Sequence, residues 1–323
     1  MPQIVDPLPQ DLGDKFARLS AALDETIPAR QLDRNLLVAT WNVRAFGGVT
    51  EKWRSEEGDS PRRDLFDLRC IAEVVHRFDV VAIEEARENL SALRLVLEAL
   101  GDSWGLIATD VTRGRAGNNE RLVFVFDTRR LRPSGLAGEL VVALEEDTDV
   151  TASGLERQFA RTPYAVSFTT GREEVTLVVL HVLWGKNEAE RVPELREIAR
   201  WLADWPNRDE TWSKNLIALG DFNVNLGPLY DALTETGLTT PEALNDVPRT
   251  IFDSSEKQHF YDQIAWFAEN GNRSVLSLDF LSAGSFDFVP LLEGGLSKTQ
   301  LSWKISDHYP LWVEFSVRSA LGG

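Results

Sequence analysis

Cysteine, histidine and long apolar runs are all scarce in this chain. A single cysteine, Cys70, stands among 323 residues, so no disulfide can close within it. A small disulfide-stapled secreted domain is thereby excluded, and the thiol usage fits a reducing compartment. The most apolar strand-like stretch, Leu177 to Trp184, is interrupted by His181 and is far too short to span a bilayer. The opening residues, MPQIVDPLPQDLGDKFARLS, lack the basic start and apolar core of a signal peptide. The expectation is a cytoplasmic protein with no membrane contact and no obligate protein partner. Basic residues are outnumbered, 34 against 51 acidic, for a formal charge of −17. That balance weighs against a polyanionic partner, because phosphate backbones favour basic surfaces. Most of the acidity reads as solvated surface; a smaller part could form a metal site made of carboxylates.

Bulky apolar residues, by contrast, are plentiful. Ten Trp and sixteen Phe, in a chain 43% apolar, supply a large core. Residues 1–34 are polar and helix-prone, with Phe16, Leu19, Ala22 and Leu23 on one face, and read as a leader packed on the main body. Leu36–Trp41, Asp79–Ile83, Leu122–Phe126, Val175–Leu183, Leu216–Leu219, Tyr261–Phe267 and Leu311–Phe315 read as strands. Helical spacing runs from Asp64 to Phe78, from Asn89 to Leu100 before Gly101, and from Asn187, a candidate N-cap, to Trp205. Gly47–Pro61 and the acidic stretch Gly135–Gly154 read as loops. Alternating strands and helices without a low-complexity linker predict an α/β protein, with one domain over residues 35–318 after the leader.

Chemistry-bearing residues recur where these strands end. Asn42 follows LLVATW, Glu84 and Glu85 follow DVVAI, and His181 interrupts VTLVVLHVL. Asp221 and Asn223 follow LIALG, and Asp307 and His308 precede PLWVEF. Strand ends in layered α/β folds are where sites assemble from distant segments. Each residue also has an ordinary reading: Asn42 as a turn residue, the glutamates as a helix cap, Asp221 and Asn223 as an Asx turn, His181 as a satisfied core histidine. Their joint occurrence in order carries the argument.

The strings TWNVRAFG, DVVAIEEARENL, NNERLVFVFD, FARTPYAVSF, VVLHV, ALGDFN, YDQIAWF and ISDHYPLWVEF together resemble the endonuclease/exonuclease/phosphatase superfamily, deoxyribonuclease I type. The resemblance runs from about Leu36 to Phe315. It implies a four-layer α/β/β/α sandwich of two packed mixed sheets and a metal-dependent phosphodiester hydrolase. The likeness makes Glu85 the metal-binding carboxylate, with Asn42 and Asp307 close by. Their oxygen donors suit a hard cation, Mg²⁺ or alternatively Mn²⁺ or Ca²⁺. It makes His181 and His308 the catalytic histidines, with Glu120 and Asp262 as their carboxylate partners. Asp221 and Asn223 would hold water, phosphate or a second metal, and Arg161 would grip the phosphate. Arg44 and Arg87 stand where the deoxyribonuclease contacts DNA, which implies a nucleic-acid substrate, DNA, cut with weak sequence preference.

Three departures qualify the likeness. Glu84 replaces the usual Gln. Asn118 falls near a groove-contacting tyrosine, which puts double-strand preference in doubt. Gly48–Arg63 is inserted, and its Lys52, Arg54, Arg62 and Arg63 either extend a phosphate-binding surface or form a mobile solvated loop. His76 and His259 carry no predicted role. The competing expectation is an intracellular phosphatase or phosphodiesterase of the same superfamily acting on a small phosphoester or lipid headgroup. A non-enzymatic module is disfavoured because the whole set of candidate residues is retained.

Overall fold

Strands whose residues are apolar almost without interruption must be buried on both faces. The computed structural model describes residues 1–113, 118–140, 161–182, 188–205, 215–224, 228–254, 258–267 and 276–317, and shows how this is achieved. In chain order the elements are α1 (Gln10–Thr26), β1 (Asn35–Phe46), α2 (Leu65–Val75), β2 (Val80–Arg87), α3 (Ser91–Leu100), β3 (Trp104–Ala108), β4 (Glu120–Asp127) and β5 (Arg132–Glu139). Then follow β6 (Tyr164–Thr170), β7 (Glu173–His181), α4 (Glu188–Asp204), β8 (Leu216–Val224), α5 (Pro228–Thr234) and β9 (Leu238–Thr239). The chain ends with β10 (Phe260–Phe267), β11 (Asp279–Ser285), α6 (Val289–Leu292), α7 (Lys298–Lys304) and β12 (Leu311–Ser316).

Two six-stranded sheets form, in the orders β11-β12-β1-β2-β4-β3 and β5-β6-β7-β8-β10-β9. Each holds one parallel pair at its centre, β1 with β2 and β7 with β8, among antiparallel neighbours. Alternation along β1 explains the layering. Leu36 and Val38 face the second sheet, where they meet Val166, Phe168, Val179 and Ile217 in a shared core. Leu37, Ala39, Trp41 and Val43 face the other way, into a core closed by α1, α2, α3, α6 and α7. A third core lies between the second sheet and α4 and α5, through Leu195, Ile198, Leu202 and Ala232. The architecture is thus the expected α/β/β/α sandwich. The predicted face of the leader lies on the first of these cores: Leu19 and Leu23 are fully buried there, with Phe16 and Ala22 packed beside them.

Several local expectations change. Gly135–Glu139 is strand rather than loop: β5 is a half-exposed edge strand, so RPSGLAGE carries no apolar alternation to announce it. The remainder of the Gly135–Gly154 stretch, and the Asn187 cap, lie outside the described residues. The strands also extend past their apolar runs. Asn42 sits inside β1, Glu84 and Glu85 inside β2, and Asp221 and Asn223 inside β8, so the helix-cap reading does not apply to the glutamates. The Asx turn does form at the end of β8, where the Asn223 amide donates to Asp221 Oδ1 at 3.0 Å.

The basic residues of the insertion all have partners within the protein, and only Arg63 is buried away from any ligand. Lys52 pairs with Asp59 at 3.0 Å, Arg54 pairs with Asp11, and Arg62 donates to the Glu56 carbonyl. Arg63 is buried and donates to four backbone carbonyls.

Candidate active site

The strand register brings the polar residues to one end of the sandwich. Asn42 pairs with Glu84 across the first sheet's parallel pair. His181 pairs with Asp221 across the second, and Asp262 faces Asp221 from β10. Asn42 then joins the sheets, its Nδ2 donating to Asp221 Oδ2 at 3.1 Å. At Gly220 (φ +134°) a Cβ would strike the Leu180 carbonyl, so only glycine lets β8 deliver Asp221 this close to β7. Glu85, Ala45 and Asn223 all adopt left-handed backbone, at φ 60°, 47° and 49°. Such conformations cost energy and cluster where surrounding structure holds a site in place.

Asn42, Glu85, Arg161, His181, Asp221, Asn223, Asp307 and His308 line one cavity of about 440 Å³. Glu120 and Asp262 stand behind the two imidazoles, both buried. His308 Nδ1 lies 2.7 Å from Asp262 Oδ2. Burial opposes a proton on His308, but Asp262, with Asp221 and Asp307 beyond it, overcomes burial and raises its pKa well above that of a free imidazole. His181 Nδ1 is 3.3 Å from Glu120 Oε2 without the alignment of a hydrogen bond, and its Nε2 is 3.7 Å from Asp221 Oδ2. Glu120 is a hub: it accepts from Arg161 Nε at 2.7 Å and from Asn118 Nδ2 at 2.5 Å, and it pairs with Arg87 at 3.3 Å. Burial alone would raise the Glu120 pKa; His181, Arg161 and Arg87 together lower it below the usual glutamate range. Arg161 and Arg87 are therefore tied to the site's own carboxylate. Arg44 is held likewise, pairing with Asp307 at 3.2 Å and donating to Ser302 Oγ at 2.7 Å.

The donor set fits a hard cation in one respect and needs rearrangement in another. Asn42 Oδ1 is buried without a hydrogen-bond partner, beside the Glu85 carboxylate to which Asn42 Nδ2 donates at 3.4 Å. A stranded amide oxygen next to a carboxylate is what Mg²⁺ would satisfy. Among the described residues no three His, Cys, Asp or Glu side chains converge on one point. Arg44 instead occupies the Asp307 carboxylate, and the Ala45 amide donates to Glu85 Oε2 at 2.8 Å.

Glu84 lies beneath the site as a buried carboxyl. It is fully buried and accepts from Thr40 Oγ1 at 2.7 Å, while its second oxygen has no partner. Burial pushes its pKa well above the usual glutamate range, with Asp262 and Asp221 reinforcing the rise. A carboxyl whose pKa is raised by folding contributes most stability while protonated and loses it as pH rises through the folded value. Glu84→Gln is therefore expected to leave Tm nearly unchanged at pH 5 and to raise it by roughly 3 °C or more at pH 8. An equal shift at both pH values in a thermal melt would contradict a neutral Glu84.

Four cavity-lining residues carry no sequence expectation: Thr250, Phe252, His259 and Tyr261. His259 is bonded to Asp253 at 2.8 Å. Ser306, buried behind the cavity, also had no predicted role: its hydroxyl donates to the Asn42 carbonyl and accepts from the His308 amide, coupling the backbones of two site residues. The His259–Asp253 pair, six residues apart, is the one signal that was open to view.

Neither a protein-family model nor a curated protein sequence matches the chain. Solved structures do. An endonuclease/exonuclease/phosphatase family protein from Bacteroides thetaiotaomicron is 20% identical, with a TM-score of 0.55 over 87% of this chain and 98% of that one. TDP2 from D. rerio, complexed with a single strand DNA product, is 13% identical with TM-score 0.55, over 87% and 98%. ANGEL2, a 2',3'-cyclic phosphatase, is 14% identical with TM-score 0.57, over 91% and 99%. With its paired six-stranded sheets and outer helices, this chain has the fold of the endonuclease/exonuclease/phosphatase superfamily.

Proposed function

We propose that the chain is a metal-dependent phosphodiester hydrolase acting as an endonuclease on DNA with weak sequence preference. The observation that carries this reading is one cavity holding two imidazoles, each backed by a buried carboxylate, beside Asn42, Glu85, Asp307 and an arginine. Hydrolysing a phosphodiester needs an activated water, a protonated leaving oxygen and neutralised charge on the phosphate. His308, oriented by Asp262, takes the proton of the attacking water, and His181, oriented by Glu120, protonates the leaving oxygen. Asp221 and Asn223 place the water or the phosphate, and Arg161 holds a phosphate oxygen. Glu85, Asn42 and Asp307 would hold Mg²⁺ or Mn²⁺, whose charge would offset that on the phosphate and on the carboxylates facing His308. Arg44 must release Asp307 for this, which frees its guanidinium for the substrate backbone, where Arg87 would join it.

Incubating supercoiled plasmid with the protein and Mg²⁺, Mn²⁺ or EDTA tests the reading. Nicking that needs the metal and is absent in His181→Ala is the expected result. A folded protein that never cuts DNA but releases phosphate from small esters would favour the phosphatase reading, to which the acidic charge of the chain also points. Among the described residues no helix is long and apolar enough to cross a membrane.

A further inference from the structure

Water tolerates an exposed aromatic ring, but proteins seldom place several beside one cleft without use. Among the described residues the exposed aromatics are Phe252, Phe280 and Trp303. One of these three lines the candidate cavity, and a second is linked to it through Arg44. Phe252, 44% exposed, lines it directly. Trp303, 47% exposed, carries the Arg44 guanidinium 4.0 Å from its ring centre, and Arg44 in turn is bound to the cavity-lining Asp307.

Both rings stand on anchored segments. Trp303 lies on α7, which has a Ser297–Gln300 capping box and buries Leu301 and Ser302. Phe252 lies in a turn organised by Asp253, whose carboxylate accepts the Arg249 amide at 3.0 Å, the His259 amide at 3.0 Å and His259 Nδ1 at 2.8 Å. With Nδ1 donating to Asp253, Nε2 is the ring nitrogen left to meet a ligand. His259 also rests 4.7 Å, centre to centre, from Tyr261, whose ring is 6.1 Å from that of His308. A flat apolar face and a polar ring edge thus line the candidate cavity, and a second flat face lies one arginine away from it.

We infer that this site takes an unpaired nucleic-acid strand, with bases next to the scissile phosphate stacked on Trp303 and Phe252 and one base edge met by His259. The inference rests on the phosphodiesterase reading and adds the substrate class. A planar ring with hydrogen-bonding edges matches these surfaces; in a duplex the same faces are already stacked on neighbouring bases. A lipid headgroup would leave both rings without a flat partner.

The test compares a single-stranded oligonucleotide, its blunt duplex and an oligomer of the same backbone without bases, each with Mg²⁺ or Mn²⁺. The single strand is expected to be cut with at least tenfold higher kcat/KM than the duplex. Trp303→Ala and Phe252→Ala should each raise KM for the single strand roughly tenfold, leave kcat close to wild type and change KM for the base-free oligomer far less. Trp303→Phe, which keeps a ring, should restore most of the loss. Equal cutting of duplex and single strand overturns the inference, as does a KM unchanged by both alanines. Loss of activity on the base-free oligomer would also overturn it, because that is a structural effect. Cleavage of the base-free oligomer with none of the preference for bases would sink the inference and spare the hydrolase. Failure to cut any phosphodiester would remove both.

Discussion

His308→Ala is expected to lower the rate of phosphodiester hydrolysis by about a thousandfold while the protein stays folded, within the range for loss of a positioned acid or base. The side chain sits at the cavity wall, and its backbone is held independently of the ring. Its amide donates to Ser306 Oγ, its carbonyl accepts from Trp41 Nε1, and residues 250 and 308 form a β-bridge. Removing the imidazole therefore leaves the segment in place but strands Asp262, a buried carboxyl whose pKa burial raises to about 6 against the pull of His308. Asp262→Asn should cost less than the alanine, because the ring remains and only its orientation and charge support are lost.

The division of labour can be read from leaving groups. A phosphodiester whose leaving group departs without a proton should largely spare His181→Ala and not His308→Ala. The reverse pattern would exchange the two roles. Full activity in His308→Ala would remove this histidine from the chemistry altogether.

The second large effect concerns stability. Arg63→Ala is expected to lower stability by about 3–5 kcal/mol, a Tm drop of roughly 10 °C or more. Arg63 Nη2 donates to the carbonyls of Arg44 at 2.7 Å and Ile305 at 3.1 Å; Nη1 donates to Ala45 at 3.2 Å and Nε to Lys304 at 2.9 Å. One guanidinium thus ties the segment after Asn42 to the segment before Asp307. Burial lowers its pKa to about 10, against the pull of Asp67, Glu85 and Asp307, so it stays charged at neutral pH. Alanine would leave four carbonyls without a donor in a place water cannot easily enter. Lysine has three hydrogens on a single nitrogen and cannot span all four, so Arg63→Lys should fall between the two. An alanine variant melting within 2 °C of wild type would show that the carbonyls find other partners.

Interior strands, β6 excepted, were legible because their physics is local. β1, β2, β4, β7, β8, β10 and β12 are buried by the layers above and below, which leaves an apolar imprint along each run. The edge strands β3, β5, β9 and β11 were not found, since exposure on one side removes the imprint and their pairing is decided by the neighbour. The candidate site was legible for a related reason: its residues interrupt or end those same runs, and their order along the chain matches a known pattern.

By itself, then, the sequence determined the α/β class and the leader's apolar face through residue type and spacing, and its resemblance to a known family gave the set of candidate catalytic groups. Tertiary structure alone decided that Arg63 is a buried clamp rather than a phosphate-binding arm. The tertiary fold also bound Arg44, Arg87 and Arg161 to carboxylates of the site, brought Phe252, His259 and Tyr261 to the cavity wall, and set Trp303 under the Arg44 that holds Asp307. A charge or a ring looks the same in the sequence whether it meets water or another chain segment. Only the folded neighbours determine which.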